Sequence, residues 1–580
     1  QAGKLCEFPD FAEFDEEMFT MIINEASTFA EQVLAPLNVN GDRQGCRIEN
    51  GAVVTPDGFT DAWKQLGEGG WLSMSLPPEF GGQGIPEVIA VIGKETQLAA
   101  NQGFTIGASL TTGAANLIYT FGSDLQKNEF CQNMFSGKWA GTMCLTEPHA
   151  GSAVGDVITS ATKQEEGHYL IKGTKQFITN GDHDMADNIV HLLLARTPNS
   201  QQGSKGISLF IVPKKRPDGS QNDITLVSIE HKMGINGSPT CVLSFGDNDD
   251  CHGYLLEAEN MGMEQMFKLM NEARLLVGLQ GLAGASAAVQ NAWAYANERT
   301  QGPSSIHPEK KASIIEFPDV RRMLMHMKAV TEGLRALMYT SAWYIDMANH
   351  GPEAHSEKYQ DLLDLHIPIC KAFGTDQGFD VARTGIQVLG GVGFTKHFPL
   401  EQNIRDQKIG SIYEGTNGIQ ALDLVGRKFT SKKGQLIKVL EKELCWFDNR
   451  SLEGELKGWV AEWNNYRTLM FESIDCMIKI GETKGKDGYV LYAANMLDLM
   501  GDVLCCFYLL KQAENAQNKW RGMINLTDSQ EELLAENQEA QFYWNKLRTV
   551  EYYVWSVLPR ALSNAKTIKN ANLSPLNACL

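Results

Sequence analysis

The runs HYLIKGTKQFITNG (168–181), NIVHLLLAR (188–196), GISLFIVPKK (206–215), DITLVSI (223–229) and TCVLSFG (240–246) decide how this chain folds. Each is short, rich in β-branched or aliphatic residues, and bounded by turn-forming stretches such as TPNSQQGSKG (197–206) and KRPDGSQND (215–223). That pattern predicts a small antiparallel β domain over residues 146–258. The flanking texture is different. EEMFTMIINEASTFAEQVLAPLN (16–38) repeats apolar residues every three or four positions and is expected to end before Pro36. NEFCQNMFSGKWA and the GTMCLTEP that follows it (128–148) read with the same helical block, while LPPEFGGQGIP (76–86) marks a loop. Helical periodicity returns in MGMEQMFKLMNEARLLVGLQGLAGASAAVQNAWAYANER (261–299) and persists to about residue 430. A last, wholly helical block includes YVLYAANMLDLMGDVLCCFYLLKQAENA (489–516). The expected fold is mainly α with a central antiparallel β domain and an additional C-terminal α-helical domain, divided at 1–145, 146–258, 259–435 and 436–580. Alternating βαβ units are absent, which argues against a doubly wound parallel sheet.

The bulk numbers fit an ordinary globular protein: 580 residues, 43% hydrophobic and 21% charged. Charged and polar residues break the long apolar stretches, so no membrane span is expected. With 51 basic against 70 acidic side chains the formal charge is −19, a field that repels nucleic acid but leaves room for a local anion site. The twelve cysteines are scattered and form no CxxC pair, the usage of a reducing compartment. The opening QAGKLCEFPD shows no basic and apolar leader, and lacking an initiator Met it is expected to follow a missing segment. GGVGFTKH (390–397) lacks the third glycine of a dinucleotide fingerprint, and GxxxxGK[ST], HExxH and GxSxG do not occur. His326, in MLMHMKAV, sits among methionines at helical spacing, so metal is not expected.

Four further segments carry chemistry. MCLTEPHAGSAVGD (143–156) makes a tight loop offering backbone N–H groups and the Thr146 and Ser152 hydroxyls to a planar heterocycle or a phosphate; taken alone it is also a plain turn. In KGTKQFITNG (172–181) alternation places Phe177 and Thr179 on one side, suited to packing on and hydrogen-bonding an isoalloxazine ring, or equally to a core Phe with an exposed Thr. QVLGGVGFT (387–395) reads as a helix cap and turn, or as backbone approaching a cofactor. In IGSIYEGTNGIQALDLVGRK (409–428), burial of Glu414 against Ile412 and Tyr413 would raise its pKa above the usual ~4.3 and make it a better base near neutrality.

TEPHAGS (146–152), FITNG (177–181), QVLGGVGF (387–394) and IYEGTNGIQ (412–420) stand in the order and at roughly the separations of the acyl-CoA dehydrogenase family, and KMGINGS (232–238) and YANERTQG (295–302) add two matches. Over residues ~20 to ~430 the chain is therefore identified as resembling that family. The last block resembles the extra helical domain of its longer members, and the ERTQG form a bacterial subgroup of them.

The resemblance implies an FAD-dependent enzyme in which Glu414 removes the α-proton of an acyl-CoA while the β-hydride passes to the flavin, giving a trans-2-enoyl-CoA. It assigns stabilisation of the thioester oxygen to the Glu414 N–H and a ribityl hydroxyl. Flavin contacts carry over to Leu145, Thr146, Ser152, Phe177, Thr179 and Thr416, with Phe177 standing where most relatives have Trp. Across a dimer interface they carry over to Arg299, Gln301, Gln387, Gly390 and Gly391. Gln301 is followed directly by Gly302, where many relatives have an intervening Phe, and Gly418 replaces a residue that is often polar. Substrate contacts carry over to Ser152, Asn271, Arg274, Tyr413 and Gly415. Some members place the base directly before a family arginine; here Ala273 precedes Arg274, and Glu272 lies about 100° further round the helix. The resemblance further implies an acyl-CoA substrate, an electron-transfer flavoprotein as acceptor, a homodimer, and a bacterial cytoplasmic or mitochondrial-matrix location. An acyl-CoA oxidase and a non-catalytic assembly subunit are the competing readings; the C-terminal LNACL is no peroxisomal address, and a scaffold has no need of Glu414.

Overall fold

The first α-helix begins at a cap: Asp15 accepts the Met18 amide at 2.7 Å and opens α1 (Glu16–Phe29). The computed structural model describes residues 2–304, 309–524 and 529–579. The chain divides into two units, residues 1–276 and 277–580.

In the first unit, α1 is followed by α2 (Phe59–Glu68), α3 (Glu87–Ala100) and α4 (Gln102–Phe121). Pro36 does not end the first helical run. A π-helical turn, Ala30–Leu34, intervenes, and a new helix, Ala35–Gln44, carries Pro36 in its first turn, where no intrahelical N–H is needed. An eight-stranded sheet follows, built from β1 (Trp139–Cys144), β2 (Ser160–Lys163), β3 (Tyr169–Thr179), β4 (Asn188–Ala195), β5 (Ser208–Pro213), β6 (Ile224–Ile229), β7 (Thr240–Phe245) and β8 (His252–Leu255). The spatial order is β1-β4-β5-β8-β3-β7-β6, with β2 beside β3.

Two expectations change here. β1 lies inside GKWAGTMC, which the periodicity grouped with the helices; so short an apolar run does not distinguish strand from helix, and sheet pairing settles it. β1 also runs parallel to β4, whereas the other pairs of this sheet are antiparallel, so the β domain is mixed at one edge. Every residue of β4 and β5 is buried. Val190, Leu192 and Leu194 join a cluster with Leu117, Ile118 and Met134, while Leu193 and Ala195 join Phe210 and Val212 in another. A strand covered on both faces reads as continuous apolar sequence, and NIVHLLLA does.

In the second unit, the later part of α5 (Gly262–Glu298) leads into α6 (Pro318–Asn349), α7 (Glu353–Leu389), α8 (Leu400–Lys408) and α9 (Asn417–Leu422). The C-terminal block adds α10 (Gly454–Val490), α11 (Ala493–Ile524), α12 (Gln538–Tyr552) and α13 (Arg560–Asn570). α11 is almost continuously apolar over its first half and packs against α6, α7 and α9 as well as α10, α12 and α13. By length and composition it could cross a membrane, contrary to the expectation from the broken apolar runs, but 83% of its apolar window is buried within the protein, as in a core helix. The seams are polar where helices meet. Tyr508 on α11 bonds Tyr344 of α6 and His366 of α7, each at 3.1 Å. Arg560 on α13 donates to Asp502 of α11 at 2.8 Å and to Gln377 of α7 at 2.6 Å. The cysteines are free thiols.

Two histidines are buried in the first unit. His191 pairs with Thr142 at 2.7 Å, and His183 packs beside Trp63 and accepts the Met185 amide at 3.2 Å. Burial pushes the His183 imidazole down to about 4 and the His191 imidazole down to about 3. The unfolded chain therefore takes up protons from about pH 6.5 downward that the folded chain refuses until those lower values, so stability falls as pH drops through that window. Each fully developed penalty is on the order of 3–5 kcal/mol. The thermal midpoint should fall between about pH 7 and about pH 4.5, and fall less in His191→Gln. Parallel falls in both proteins, measured by circular dichroism, would remove His191 from the account.

Candidate active site

The loop between β1 and β2 is held by a buried ion pair. Glu147 accepts the Lys175 ammonium at 2.8 Å, the Ile158 and Thr159 amides at 2.8 and 3.1 Å, and the Thr159 hydroxyl at 2.5 Å. The two side chains are 2% and 0% exposed. Burial works against the Glu147 charge, but Lys175 and the surrounding donors outweigh it and hold the carboxyl below its ordinary range. Burial pushes the Lys175 ammonium down. Lys175 also donates to the Leu145 carbonyl at 3.1 Å, and the Gln176 amide donates to the Thr146 carbonyl at 2.9 Å. The TEPHAGS and FITNG motifs are thereby one construction.

At that point β3 bulges. Its register against β7 shifts between Lys175 and Ile178, and Phe177 adopts φ +59°. Tyr169, Ile171 and Lys175 face inward; the extra residue reverses the phase, so Ile178 is buried and Phe177 is 58% exposed. Phe177 and Thr179 flank Ile178 and share the opposite side, as alternation predicts. Asn180, at φ +53°, donates its amide to Pro239 at 2.7 Å and accepts the Ser238 hydroxyl at 3.1 Å, joining FITNG to KMGINGS. It sits against Gly107 of α4, where a Cβ would come within 1.8 Å of its side-chain nitrogen. Leu145 and Thr146 are half-buried and Ser152 is exposed. Arg274 is buried and Glu272 accepts the Asn116 amide with both oxygens, at 3.0 and 2.9 Å. The Asn271 side chain lies outside the described residues.

In the second unit, Glu414 and Gly415 form a turn between a 3-10 turn, Ile409–Ser411, and α9, and both are left-handed, at φ +54° and +80°. For a residue with a Cβ that backbone costs about 1–2 kcal/mol. Tyr413 donates to Gln280, and burial together with the neighbouring Glu414 charge pushes its phenol up. Ile412 is 52% exposed, so it does not wall in Glu414 as the sequence suggested; the chain reverses before its side chain can turn inward. Thr416 caps α9 by accepting the Ile419 amide at 3.3 Å. Gln387, Gly390 and Gly391 lie at the exposed end of α7, with Phe394 88% exposed beyond them. Arg299 and Gln301 are exposed at the start of the hairpin Thr300–Pro303 and Lys311–Ser313.

Sequence reasoning missed Glu147, Lys175, Gln176, Asn180 and Gln420 as parts of these sites. Lys175 carried a signal, since it falls at an inward position of its strand, where a cation requires a buried partner.

The chain matches the N-terminal, middle and C-terminal domains of acyl-CoA dehydrogenases over residues 16–138, 142–248 and 260–429, and an acetyl-CoA dehydrogenase C-terminal-like domain over 448–578. It is 36% identical to a 3-methylmercaptopropionyl-CoA dehydrogenase of Ruegeria pomeroyi, an alignment covering 98% of this chain and 95% of the relative. An acyl-CoA dehydrogenase of Bacillus anthracis solved with FAD shares the fold, at a TM-score of 0.75, 23% identity and coverage of 99% and 91%. A chain from structural work on the electron-transferring flavoprotein of Acidaminococcus fermentans superposes at a TM-score of 0.60, with 30% identity and coverage of 71% and 97%. The protein belongs to the acyl-CoA dehydrogenase family. It is an oxidoreductase of that family, whose cofactor is FAD.

Breaking a buried ion pair from one side leaves an uncompensated charge. Glu147→Gln should therefore lose about 3–5 kcal/mol of stability and part of its bound FAD. Adding Lys175→Met to it should restore some of the stability, because no unpaired cation remains. Thermal unfolding and the flavin-to-protein absorbance ratio read both effects; a double variant no better than the single one would refute the pair's role.

Proposed function

We propose that the chain dehydrogenates an acyl-CoA thioester between its α and β carbons, with Glu414 as the base. The observation that carries this is the left-handed backbone of Glu414: a carboxylate held in so unfavourable a conformation, beside a glycine, points to a functional demand. Glu272, the alternative base, has both oxygens engaged by Asn116, which supports the assignment.

The residues present fit FAD. Phe177 offers an exposed apolar ring at a bulge, and the loop carrying Leu145, Thr146 and Ser152 is braced by Glu147 so that its backbone and hydroxyls keep their directions. When bound, FAD supplies the hydride acceptor. Phe177 would pack on the ring system and Thr179 and Thr146 would hydrogen-bond its edge; Thr416 is the further flavin contact that the family resemblance implies. Glu414 takes the α-proton, and its peptide N–H would donate to the thioester oxygen, favouring the charge that develops there. Tyr413, Gly415, Ser152, Arg274 and Asn271 serve substrate binding. Arg299, Gln301, Gln387, Gly390 and Gly391 are exposed and would serve the partner's FAD in a homodimer.

The name of the Ruegeria relative favours a short acyl chain, including one with a thioether. The Acidaminococcus similarity favours an electron-transferring flavoprotein as acceptor. A cytoplasmic site of action accords with both. The division at 1–145, 146–258, 259–435 and 436–580 remains part of the proposal, with the first boundary moved to precede β1.

Anaerobic mixing of the holoenzyme with butyryl-CoA and 3-methylmercaptopropionyl-CoA should bleach the flavin absorbance. Glu414→Gln should keep its FAD and lose that reduction by about 10²–10⁴-fold. Reduction of the variant at the wild-type rate would assign the base elsewhere.

A further inference from the structure

We propose that Gln420 is a positioning residue for the base, holding the peptides of Glu414 and Gly415 in their left-handed turn; the inference rests on the reading of Glu414 above. The Gln420 amide nitrogen donates to the Glu414 carbonyl at 3.2 Å and to the Gly415 carbonyl at 3.3 Å. Its side chain is fully buried on α9. Both of its partners are acceptors, so the amide can face them only with its NH2 group, and the orientation is fixed by chemistry. The other end, Oε1, is buried and accepts no hydrogen bond among the described residues. An orphaned acceptor is a cost that an apolar side chain of the same length would avoid. What the amide provides in return is a hold on the two carbonyls whose directions define the turn.

The turn is built to receive that hold. A Cβ on Gly415 would come within 2.7 Å of the Gln420 nitrogen, so a larger residue would displace the donor as well as strain φ. Behind Gln420, the start of α9 is pinned to α7. Asn417 donates to the Ala372 carbonyl at 3.2 Å and to the Thr375 hydroxyl at 3.0 Å, and accepts the fully buried Lys371 ammonium at 2.9 Å. Gln420 thus ties the strained peptide to the short helix α9, which Asn417 in turn pins to the long helix α7. A general base must meet its proton at hydrogen-bond reach, and a displacement of about 1 Å can cost about 100-fold in rate. The direction of the Glu414 side chain follows from the peptide that Gln420 restrains.

The test compares anaerobic flavin reduction by butyryl-CoA in wild-type holoenzyme, Gln420→Met, Gln420→Glu and Glu414→Gln. Gln420→Met keeps the length and removes the donor; its reduction rate should fall about 10- to 100-fold, with FAD content and the half-saturating substrate concentration within about twofold of wild type. Gln420→Glu provides a readout that a packing role would not move. Ionised, its carboxylate faces two carbonyls and repels them; protonated, it can donate to one. The ratio of its rate to the wild-type rate should therefore rise as pH falls, even though the base itself works better at higher pH. A Gln420→Met rate equal to wild type overturns the proposal. So does a pH-independent Gln420→Glu ratio, which decides the matter if Gln420→Met does not fold. Persistence of reduction in Glu414→Gln would instead overturn the assignment of the base, and is distinct from either result.

Discussion

A carboxylate and an ammonium ion buried side by side under one loop set the conditions for the rest of the β domain. Taking two charges out of water is expensive, and their attraction compensates only when every remaining lone pair and proton is occupied. Glu147 goes far toward that condition with two peptide amides and a hydroxyl, and Lys175 adds a bond to the Leu145 carbonyl. The requirement for full satisfaction is itself structural. It forces the loop that starts at Leu145, the strand that carries Lys175 and the segment around Thr159 into one arrangement, because no looser one would complete the set. A purely apolar filling of the same volume would stabilise the domain without dictating where the loop backbone lies.

The same theme recurs as backbone conformation. Phe177, Asn180, Ile235 and Glu414 all adopt positive φ, and each lies in a motif that the family resemblance singled out. Asparagine is commonly found there; phenylalanine, isoleucine and glutamate are not. Phe177, Asn180 and Glu414 are each held by something external: a strand register, a helix glycine and a buried amide. Local strain of this kind persists because the surroundings over-determine it.

Much of the architecture was legible in the sequence. Period-two and helical periodicities marked the β domain and the helical blocks, and the continuous apolar run of β4 reported a strand covered on both faces. A glycine or a glutamate in a motif is visible along the chain; what holds it is not. The bulge that exposes Phe177 arises from pairing with a strand some sixty residues away, and alternation alone would have buried that side chain. The amide that restrains Glu414 lies six residues further on, within an unremarkable helical turn. β1 was misread because a six-residue apolar strand has too few periods to declare itself. Pro36 misled for the opposite reason: the residue speaks for a helix end, but a π turn immediately before it resets the count.

α11 has a consequence for how this chain can be divided. The matches to known domains end at 429 and resume at 448, which suggests an appended, separable module. Packing says otherwise, because α11 presents its apolar surface to α6, α7 and α9 no less than to its neighbours in the C-terminal block, and Arg560 bonds helices from both matches. Cutting between them would strip α6 and α7 of a wall of their own core. The division belongs to the pattern of sequence matches and not to the folded protein, in which the last block is as much foundation as extension.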